Sequence, residues 1–553
     1  MSLDLGTALV RSRRAVCLVA LAPILASVPL TAQGQTTQAA PTQTPTGTPQ
    51  APAPTPNQLP ADPNIIRGLE IHTGVGLDEI FTDNARGVAS GGLQTVLANN
   101  TVVTTPASKV SDLVTRLTPL LSIVDRTARL EAGLTFQPSY QKYALASDLD
   151  RFDNSLLGTA SAELWREHFF VQSSISMSSE IINNQAAVTT GATTTSSNRS
   201  DLNSYILTPI YKQAFGTFAL GELRYRIGQT SSEAIAPSTN NAVTATLKNG
   251  SDADRLAWIF RLEDSRTDQG ATPNAGQIVN NVAVPVATNS TSRRAGTVDA
   301  TYALTRVFSV LGGFGYEEVQ NGSLAQSPKG LIGNFGIGLT GARSELKVKM
   351  NYRYGTQYAS LDGRYELGPQ LRLTASYDQS VTTTQEQALD DLSALSLASN
   401  GSLVGSNGQP FVPINTQFGL NSGIGNAAFR DRTARVGLNG TFGRNAYTMT
   451  VLDETRKTDS TDFDETSVGV AASWARELNP VTRLNINLGY TVTEDRGAVR
   501  RTDDTYNATT GLTYQLNSSL TATATYSFIY RRSNLVGQDV RENSLLIGIR
   551  KTI

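Results

Sequence analysis

Residues 345–354 constrain the fold of this chain more than any other stretch, because they alternate strictly between polar and apolar side chains. The polar positions are Glu345, Lys347, Lys349, Asn351 and Arg353. The apolar positions are Leu346, Val348, Met350, Tyr352 and Tyr354. A period of two places the charges on one face of a β-strand and the apolar groups on the other. Ten residues is also the length of a transmembrane β-strand.

The same alternation recurs along the chain, at residues 222–227, 255–263, 371–378 and 483–493. In a soluble β-sandwich the apolar face of such a strand meets a second apolar face. In a membrane barrel it meets lipid, and the polar face lines a water-filled lumen. Aromatic residues stand near many strand ends, as expected for the interfacial girdles of a barrel.

Composition agrees with a barrel. The chain has 553 residues, of which only 17% are charged, yet its mean hydropathy is −0.20. This combination is expected when half of each strand is polar and half apolar. The net charge of −1 argues against a broad nucleic-acid-binding surface. No run of 18 apolar residues follows residue 32, so the sequence predicts no membrane-spanning helix there.

The first 66 residues are expected to lie outside the barrel. Residues 1–32 have the charged, apolar and small-residue regions of a signal peptide, and the alternative is a membrane anchor. Cys17, the single cysteine, lies inside this segment, so the mature chain would hold neither a disulfide nor a thiolate metal site. Residues 33–66 are rich in Pro, Thr and Gln and predict a disordered periplasmic linker, either an uncommitted spacer or a docking tail.

Residues 67–553 are predicted to form an all-β domain, a single transmembrane antiparallel up-and-down β-barrel. Hairpin counting gives roughly 22 strands, within a range of about 16 to 24, and an even number is the rule for bacterial barrels. Short turns alternate with long connections rich in Asn, Ser, Thr and Gly. This asymmetry indicates short periplasmic turns and long extracellular loops in the outer membrane of a Gram-negative bacterium.

The longest connection, residues 379–427, contains a helical pattern. Between residues 385 and 398, Leu389, Leu392 and Leu395 recur at a spacing of three. Two placements remain open for this segment. It could fold into the lumen and narrow it, or it could form one helical turn within an external loop.

The alternation also predicts which charged side chains line the lumen. A wall of mixed charge conducts polar solutes without strong ion selectivity, and these groups could also simply pair across the wall and hydrate the interior. The predicted lumen residues are Glu222, Arg224, Arg226, Arg261, Glu263, Glu345, Lys347, Lys349, Arg353, Arg372, Asp378 and Arg483.

Motifs for catalysis or cofactor binding are lacking in the sequence. The two histidines, His72 and His168, are far apart and have no metal-ligand partner at a useful spacing. The sequence therefore predicts a non-enzymatic protein without catalytic residues, bound metal or cofactor; the alternative is a hydrolase that pairs a Ser with one of these histidines. Acidic stretches at residues 148–153 and 459–465 could hold Ca²⁺ or share divalent ions with lipopolysaccharide, or be solvated loop tips.

Two stretches resemble a family of outer-membrane β-barrels associated with exopolysaccharide export and PEP-CTERM systems. Residues 77–84 are similar to that family at Glu79, Phe81, Thr82, Asp83 and Asn84. Residues 117–121 and 129–134 resemble its second hairpin, including Pro119. The long Pro-rich linker and the terminal Ile553 depart from the pattern. The resemblance implies a porin-like barrel linked to polysaccharide secretion.

The leading functional prediction is a channel that exports an extracellular or capsular polysaccharide. The alternatives are a general or solute-specific porin and a surface adhesin or structural barrel. The expected partners are outer-membrane lipid and lipopolysaccharide, the barrel-assembly machinery, and polysaccharide with periplasmic export components. The solute, the pore diameter and the oligomeric state are not determined by the sequence.

Overall fold

The computed structural model describes most of the chain that follows residue 67. The predicted signal peptide and linker therefore lie outside the described residues. Those described are 68–96, 102–181, 199–232, 236–250, 255–270, 278–279, 282–283, 290–321, 329–353, 355–398, 400–405, 411, 429–457, 464–496 and 500–553.

A closed antiparallel barrel of 22 strands forms the fold, as the hairpin count predicted. Two positions in the ring, β3 and β4, are each filled by two short strands in succession. In chain order the ring consists of β1 Gly68–Thr82, β2 Asp112–Arg126, β3 Leu130–Phe136 with Ser139–Tyr143, β4 Arg151–Asp153 with Leu156–Trp165, β5 Phe169–Ile181, β6 Arg199–Phe215, β7 Ala219–Ser232, β8 Ser238–Asn249, β9 Leu256–Gln269, β10 Ser290–Ala303, β11 Phe308–Asn321, β12 Lys329–Thr340, β13 Ser344–Arg353, β14 Thr356–Gly368, β15 Leu371–Thr382, β16 Phe429–Phe442, β17 Asn445–Lys457, β18 Asp464–Asn479, β19 Thr482–Asp495, β20 Arg501–Asn517, β21 Leu520–Ser533 and β22 Val540–Thr552.

Pairing of the first strand with the last closes the ring. Strand β1 pairs with β2 along its whole length and with β22 from Gly74 to Thr82. Over this stretch closure covers the edges of both strands, so their ladder positions can be hydrogen-bonded within the sheet.

The two faces of the wall follow the alternation predicted from the sequence. In β7, Leu223, Tyr225 and Ile227 are exposed on the outside, whereas Arg226 reaches a segment inside the lumen. In β13, Met350 and Tyr352 are likewise exposed on the outer face. A one-residue slip would reverse both faces, so the apolar outer band fixes the register.

Short turns lie at one end of the barrel, together with both ends of the described chain. Aromatic side chains cluster there on the outside: Trp165 lies beside His168, and Phe218 beside Trp258, as tilted pairs with ring centroids 5.0 Å and 5.9 Å apart. This is the predicted periplasmic girdle. One opposite connection is short too, because β13 and β14 are separated only by residues 354 and 355.

The longest connection runs from residue 383 to residue 428. Within it, α1 spans Thr384–Ser393, and a small hairpin pairs Ser396–Leu397 with Leu403–Val404. The Thr383 hydroxyl caps α1 by accepting a hydrogen bond from Glu386 N. The predicted helix therefore exists, although it ends five residues before the predicted boundary. Among the described residues, no helix is long and apolar enough to cross a membrane.

Candidate functional site in the lumen

Residues 383–398 and 400–405, here called the crossing segment, fold into the lumen from the extracellular end of β15. The segment reaches inward-facing residues of β2, β3, β4, β6 and β7, which lie about half-way round the ring from β15. The prediction that this stretch narrows the lumen is therefore confirmed in its placement, and the alternative of an external loop is wrong.

Leucines anchor the crossing segment to the wall. Leu389 and Leu392 are buried in one apolar cluster with Val124 of β2 and Ile206 of β6. Gly228 of β7 lies under Leu389, and a Cβ at that position would approach Leu389 Cδ1 to 3.1 Å. The wall thus offers a shallow apolar socket within a polar lumen, and burying the two leucines there favours the docked state.

The hairpin that follows α1 docks in the same way on β3. A Cβ at Gly133 would approach Leu397 Cδ1 to 2.6 Å and Leu403 Cδ2 to 3.0 Å. Arg126 donates hydrogen bonds from Nη2 to the carbonyl oxygens of Leu397 and Ala398, at 3.3 Å and 3.0 Å. Glycine at position 133 leaves room for the two leucines against the sheet, and Arg126 provides hydrogen bonds to the part-buried carbonyls.

Polar contacts fix α1 between two parts of the wall. Asp390 Oδ1 lies 2.5 Å from Arg226 Nη1 of β7. Gln385 donates from Nε2 to the carbonyl oxygen of Ala236, and Gln387 lies 3.5 Å from Asp431 Oδ2 of β16. The helix is therefore held from both sides, and it divides the extracellular half of the lumen.

Beside the N-terminal turn of α1 lies an ion-pair cluster centred on Glu317. This carboxylate is fully buried on the inner face of β11. Arg293 Nε of β10 donates to it at 2.7 Å, and Arg353 Nε of β13 at 2.6 Å. Thr382, Thr383 and Glu386 line the same small cavity as Glu317, so the cluster joins the wall to the start of the crossing segment.

Glu386 is the titratable group at this junction. Burial, together with the neighbouring Asp390 carboxylate, raises the pKa of Glu386 to about 7, and Arg293 and Arg226 lower it only in part. The side chain therefore changes charge near neutral pH, at the point where α1 meets the wall.

The predicted lumen residues divide between two environments. Those near the extracellular end are covered: the side chain of Arg226 is 18% exposed and that of Arg353 19%. Arg224 lies on the same strand, two residues closer to the periplasm, and its side chain is 43% exposed. Glu263 also belongs to the covered group, where it pairs with Arg293 at 3.6 Å.

The periplasmic half of the lumen is open. Lys347 is 47% exposed although its side chain faces inward and pairs with Glu345, and Arg372 is 46% exposed. Arg261 and Arg483 are exposed as well, whereas Glu222 and Lys349 are partly exposed; Asp378, which lies towards the extracellular end of β15, is also exposed. Water therefore reaches these groups inside the barrel, whereas Arg226 and Arg353 in the other half are largely covered.

Sequence analysis missed the two residues that matter most in the cluster, Arg293 and Glu317. Each stands next to a residue of the same type, Arg294 and Glu318, so charge alone does not show which of the two faces the lumen. Only the register decides which residue of each pair faces the lumen. Arg293 pairs with Val319 on the inner face, whereas Arg294 lies on the outside near Asp264.

The residues that carried the family resemblance form the seam between β1 and β22. Asp83 accepts hydrogen bonds from Asn543 N and Nδ2 at 2.7 Å and 2.6 Å. Thr82 donates to Glu542 at 2.9 Å, and Asn84 Nδ2 donates to the Arg541 carbonyl oxygen at 3.2 Å. These three residues therefore fasten the extracellular end of the closing strand pair.

The remaining residues of the resemblance face outward. Phe81 is 49% exposed on the lipid side, and Glu79 accepts a hydrogen bond from Thr115 Oγ1 at 2.9 Å. Pro119 of β2 lies opposite Val75 on the outer face. The side chains of Phe81, Glu79 and Pro119 therefore do not point into the lumen. The residues of the resemblance stabilise the closure of the barrel and do not line its channel.

The two histidines lie apart. His72 is on the inner face of β1, where its Nε2 is 3.4 Å from Glu70. His168 lies in the turn after β4 with its ring near Trp165 and Tyr211. Neither is part of the crossing segment, and no group of three His, Cys, Asp or Glu residues in the described part of the chain could hold a metal ion.

Residues 444–552 match a family model described as "Putative beta-barrel porin 2". They form β17 to β22, the last quarter of the ring. This is an outer-membrane, porin-like β-barrel. The match lies at the opposite end of the chain from the motif around Asp83, although closure of the ring brings the two together through β1 and β22, and it does not address polysaccharide export. No curated protein matches the chain.

Several solved structures align with this chain at low sequence identity. The siderophore receptor PirA from Acinetobacter baumannii aligns with a TM-score of 0.49 and 9% identity, covering 89% of this porin-like chain and 81% of that one. The FrpB iron transporter from Neisseria meningitidis (F5-1 variant) aligns with a TM-score of 0.47 and 10% identity, covering 88% and 83%. Likenesses of this size assign neither substrate nor mechanism.

Proposed function

We propose that this porin-like barrel is a gated channel through which an extracellular polysaccharide leaves the cell, with the crossing segment as its gate. One observation carries the proposal: in the part of the chain that the structure describes, the lumen is open in its periplasmic half and is crossed by the docked crossing segment in its extracellular half. A long polar chain could enter from the periplasm, and it would pass outward once the segment undocks.

The docking contacts support a gate more than a permanent plug. The leucines of α1 pack against the inner surface of the wall and do not enter a deep core. The two ends of the connection also lie on neighbouring strands, since β15 pairs with β16 at Thr382 and Phe429. Because the segment leaves and rejoins the wall at adjacent strands, it can move without stretching the barrel.

Conductance in planar bilayers tests the gate. Replacement of residues 384–428 by a short Gly-Ser linker should raise single-channel conductance several-fold, because the linker then joins β15 directly to β16 and the whole connection that contains the crossing segment is removed. Heat-dependent mobility in denaturing gels would verify that the variant barrel has folded. Unchanged conductance from a folded variant would contradict the gate.

The polysaccharide is tested in cells. Loss of the gene should remove surface polysaccharide while uptake of small hydrophilic solutes stays unchanged. If only that uptake slowed, the protein would be a porin, and loss of surface adhesion alone would indicate an adhesin. We also propose that it acts without catalysis, in contact with lipopolysaccharide and the periplasmic export components, after insertion by the barrel-assembly machinery.

A further inference from the structure

We infer that the transported chain is a neutral carbohydrate that travels along one part of the lumen wall, the inner face of β17–β21. This inference rests on the proposed channel function and specifies its solute. The inner face of these five strands, here called the amide–hydroxyl wall, is represented by Ser473, Asn485, Asn487, Asn507, Thr523 and Thr525.

The register identifies this face as the inner one. Asp431 of β16 contacts Gln387 of the crossing segment and pairs with Arg456 of β17. From Arg456 the pairing passes to Glu465, then to Asp495 and Arg501. Alternate residues from each of these positions share the face, whereas Leu488, Tyr506 and Tyr526 are exposed on the outside.

The central part of the amide–hydroxyl wall carries no charge. Inward positions within residues 448–452, 467–475, 485–493, 505–513 and 521–529 are Thr, Ser, Asn, Gly, Ala, Leu or Ile. Charged groups occur only at its rims, for example Arg483 near the periplasm and Asp503 near the outside. About half-way round the ring, β7 and β9 present Glu222, Arg224 and Arg261 at comparable heights.

Chemistry favours a neutral, hydroxylated ligand on such a surface. Amide and hydroxyl groups both donate and accept hydrogen bonds, as sugar hydroxyls do. A neutral chain can therefore exchange water for wall contacts at little cost, whereas desolvating the charges of the opposite wall would be expensive. Asn485 and Asn487 have no side-chain hydrogen bond to another described residue, so their amides remain available in the open half.

Saturation-transfer NMR on the full-length barrel in lipid nanodiscs tests this inference without requiring transport. The probes are maltoheptaose, which is neutral, and an oligogalacturonate of similar length, which is acidic. We expect the stronger signal from maltoheptaose. Asn485→Leu with Asn487→Leu should weaken its apparent affinity about tenfold, the effect of losing one or two net hydrogen bonds.

Matched variants distinguish binding at the amide–hydroxyl wall from general effects of substitution on the barrel. Thr244→Leu with Thr246→Leu removes hydroxyls from the inner face of β8 and should leave maltoheptaose binding unchanged. Asn485→Ser with Asn487→Ser keeps hydrogen-bonding groups and should retain most binding, which guards against a folding artefact. Equal binding of both probes, an unaffected leucine variant of the amide–hydroxyl wall, or loss of binding in the β8 variant would overturn the inference. If conductance were unchanged in the linker variant but maltoheptaose still bound in this pattern, only the proposed gate would be rejected.

Discussion

The extracellular and periplasmic halves of the lumen are lined by the same kinds of residue, yet they are different environments. Arg224 and Arg226 lie two positions apart on β7, and the first faces open water while the second pairs with Asp390 of the crossing segment. The difference teaches that alternation decides only which side of the wall a residue faces. What the residue does there depends on a segment contributed from half-way round the ring.

Undocking of the crossing segment should have the largest effect on the difference between the two halves of the lumen. Leu389→Ala combined with Leu392→Ala should cost about 5 kcal/mol or more of docking free energy, since truncation of a buried leucine costs about 2–5 kcal/mol. The extracellular half should then become as open as the periplasmic half. Single-channel recordings should show larger and longer openings from a barrel that still folds.

A matched control for the leucines is available on the same helix. Ser393 is exposed and donates a hydrogen bond only to the Asp390 carbonyl oxygen. Ser393→Ala should therefore leave the recordings unchanged. If Ser393→Ala opened the channel as much as the leucine pair did, apolar docking would not be what closes it.

The second prediction concerns the inward and outward faces on which the comparison depends. Arg at a lipid-facing midplane position costs about 2–4 kcal/mol, because no water is there to solvate it. Val348→Arg should therefore impair folding into lipid bilayers, whereas Lys347→Glu keeps a charge in the hydrated lumen and should change only ion selectivity. Gel mobility of the refolded barrels measures the first effect, and reversal potentials measure the second. The reverse pattern would show that the two faces of β13 have been assigned wrongly.

The third prediction compares one carboxylate from each half. Glu317→Gln leaves two arginines without their buried counter-charge and should lower the free energy of unfolding by about 1–3 kcal/mol, a figure reduced because both arginines are partly exposed. Glu345→Gln removes a partner from the solvated Lys347 and should cost less than about 1 kcal/mol. Urea titration of the barrels in lipid would compare them. Equal losses would mean that the extracellular half is as hydrated as the periplasmic half.

The smallest expected effect is the pH dependence of docking through Glu386. Burial raises its pKa from 4.5 to about 7 in the docked state. A carboxyl group with a raised folded-state pKa favours docking fully at acid pH, and this contribution is lost as the pH rises through about 7. Open probability should therefore increase about tenfold between about pH 5 and pH 8, after allowance for solvent screening.

Replacement of Glu386 isolates that group from the other carboxylates of the segment. Glu386→Gln stays neutral at every pH, so most of the pH dependence should vanish and the channel should behave as the wild type does at acid pH. A variant that kept the full pH response would assign it to other groups near α1.

The sequence alone determined the barrel. Alternation in stretches such as residues 345–354 indicated strands, their length indicated membrane crossing, and hairpin counting indicated the number of strands found in the ring. These features are local, because the period of two and the apolar outer band specify each strand and its register. The helix within the longest connection was also predicted, since the leucine spacing that indicates it lies within a few residues.

Only the tertiary structure decided what the lumen contains. Whether α1 lies inside or outside depends on sockets at Gly133, Gly228 and Ile206, which are far from it in sequence and look like ordinary wall residues. Glu317 forms the centre of an ion-pair cluster only because Arg293 and Arg353, on strands on either side of its own, reach its carboxylate. The physical reason is that alternation gives the direction of a side chain, whereas burial and ion pairing depend on which distant segments are brought against it when the ring closes.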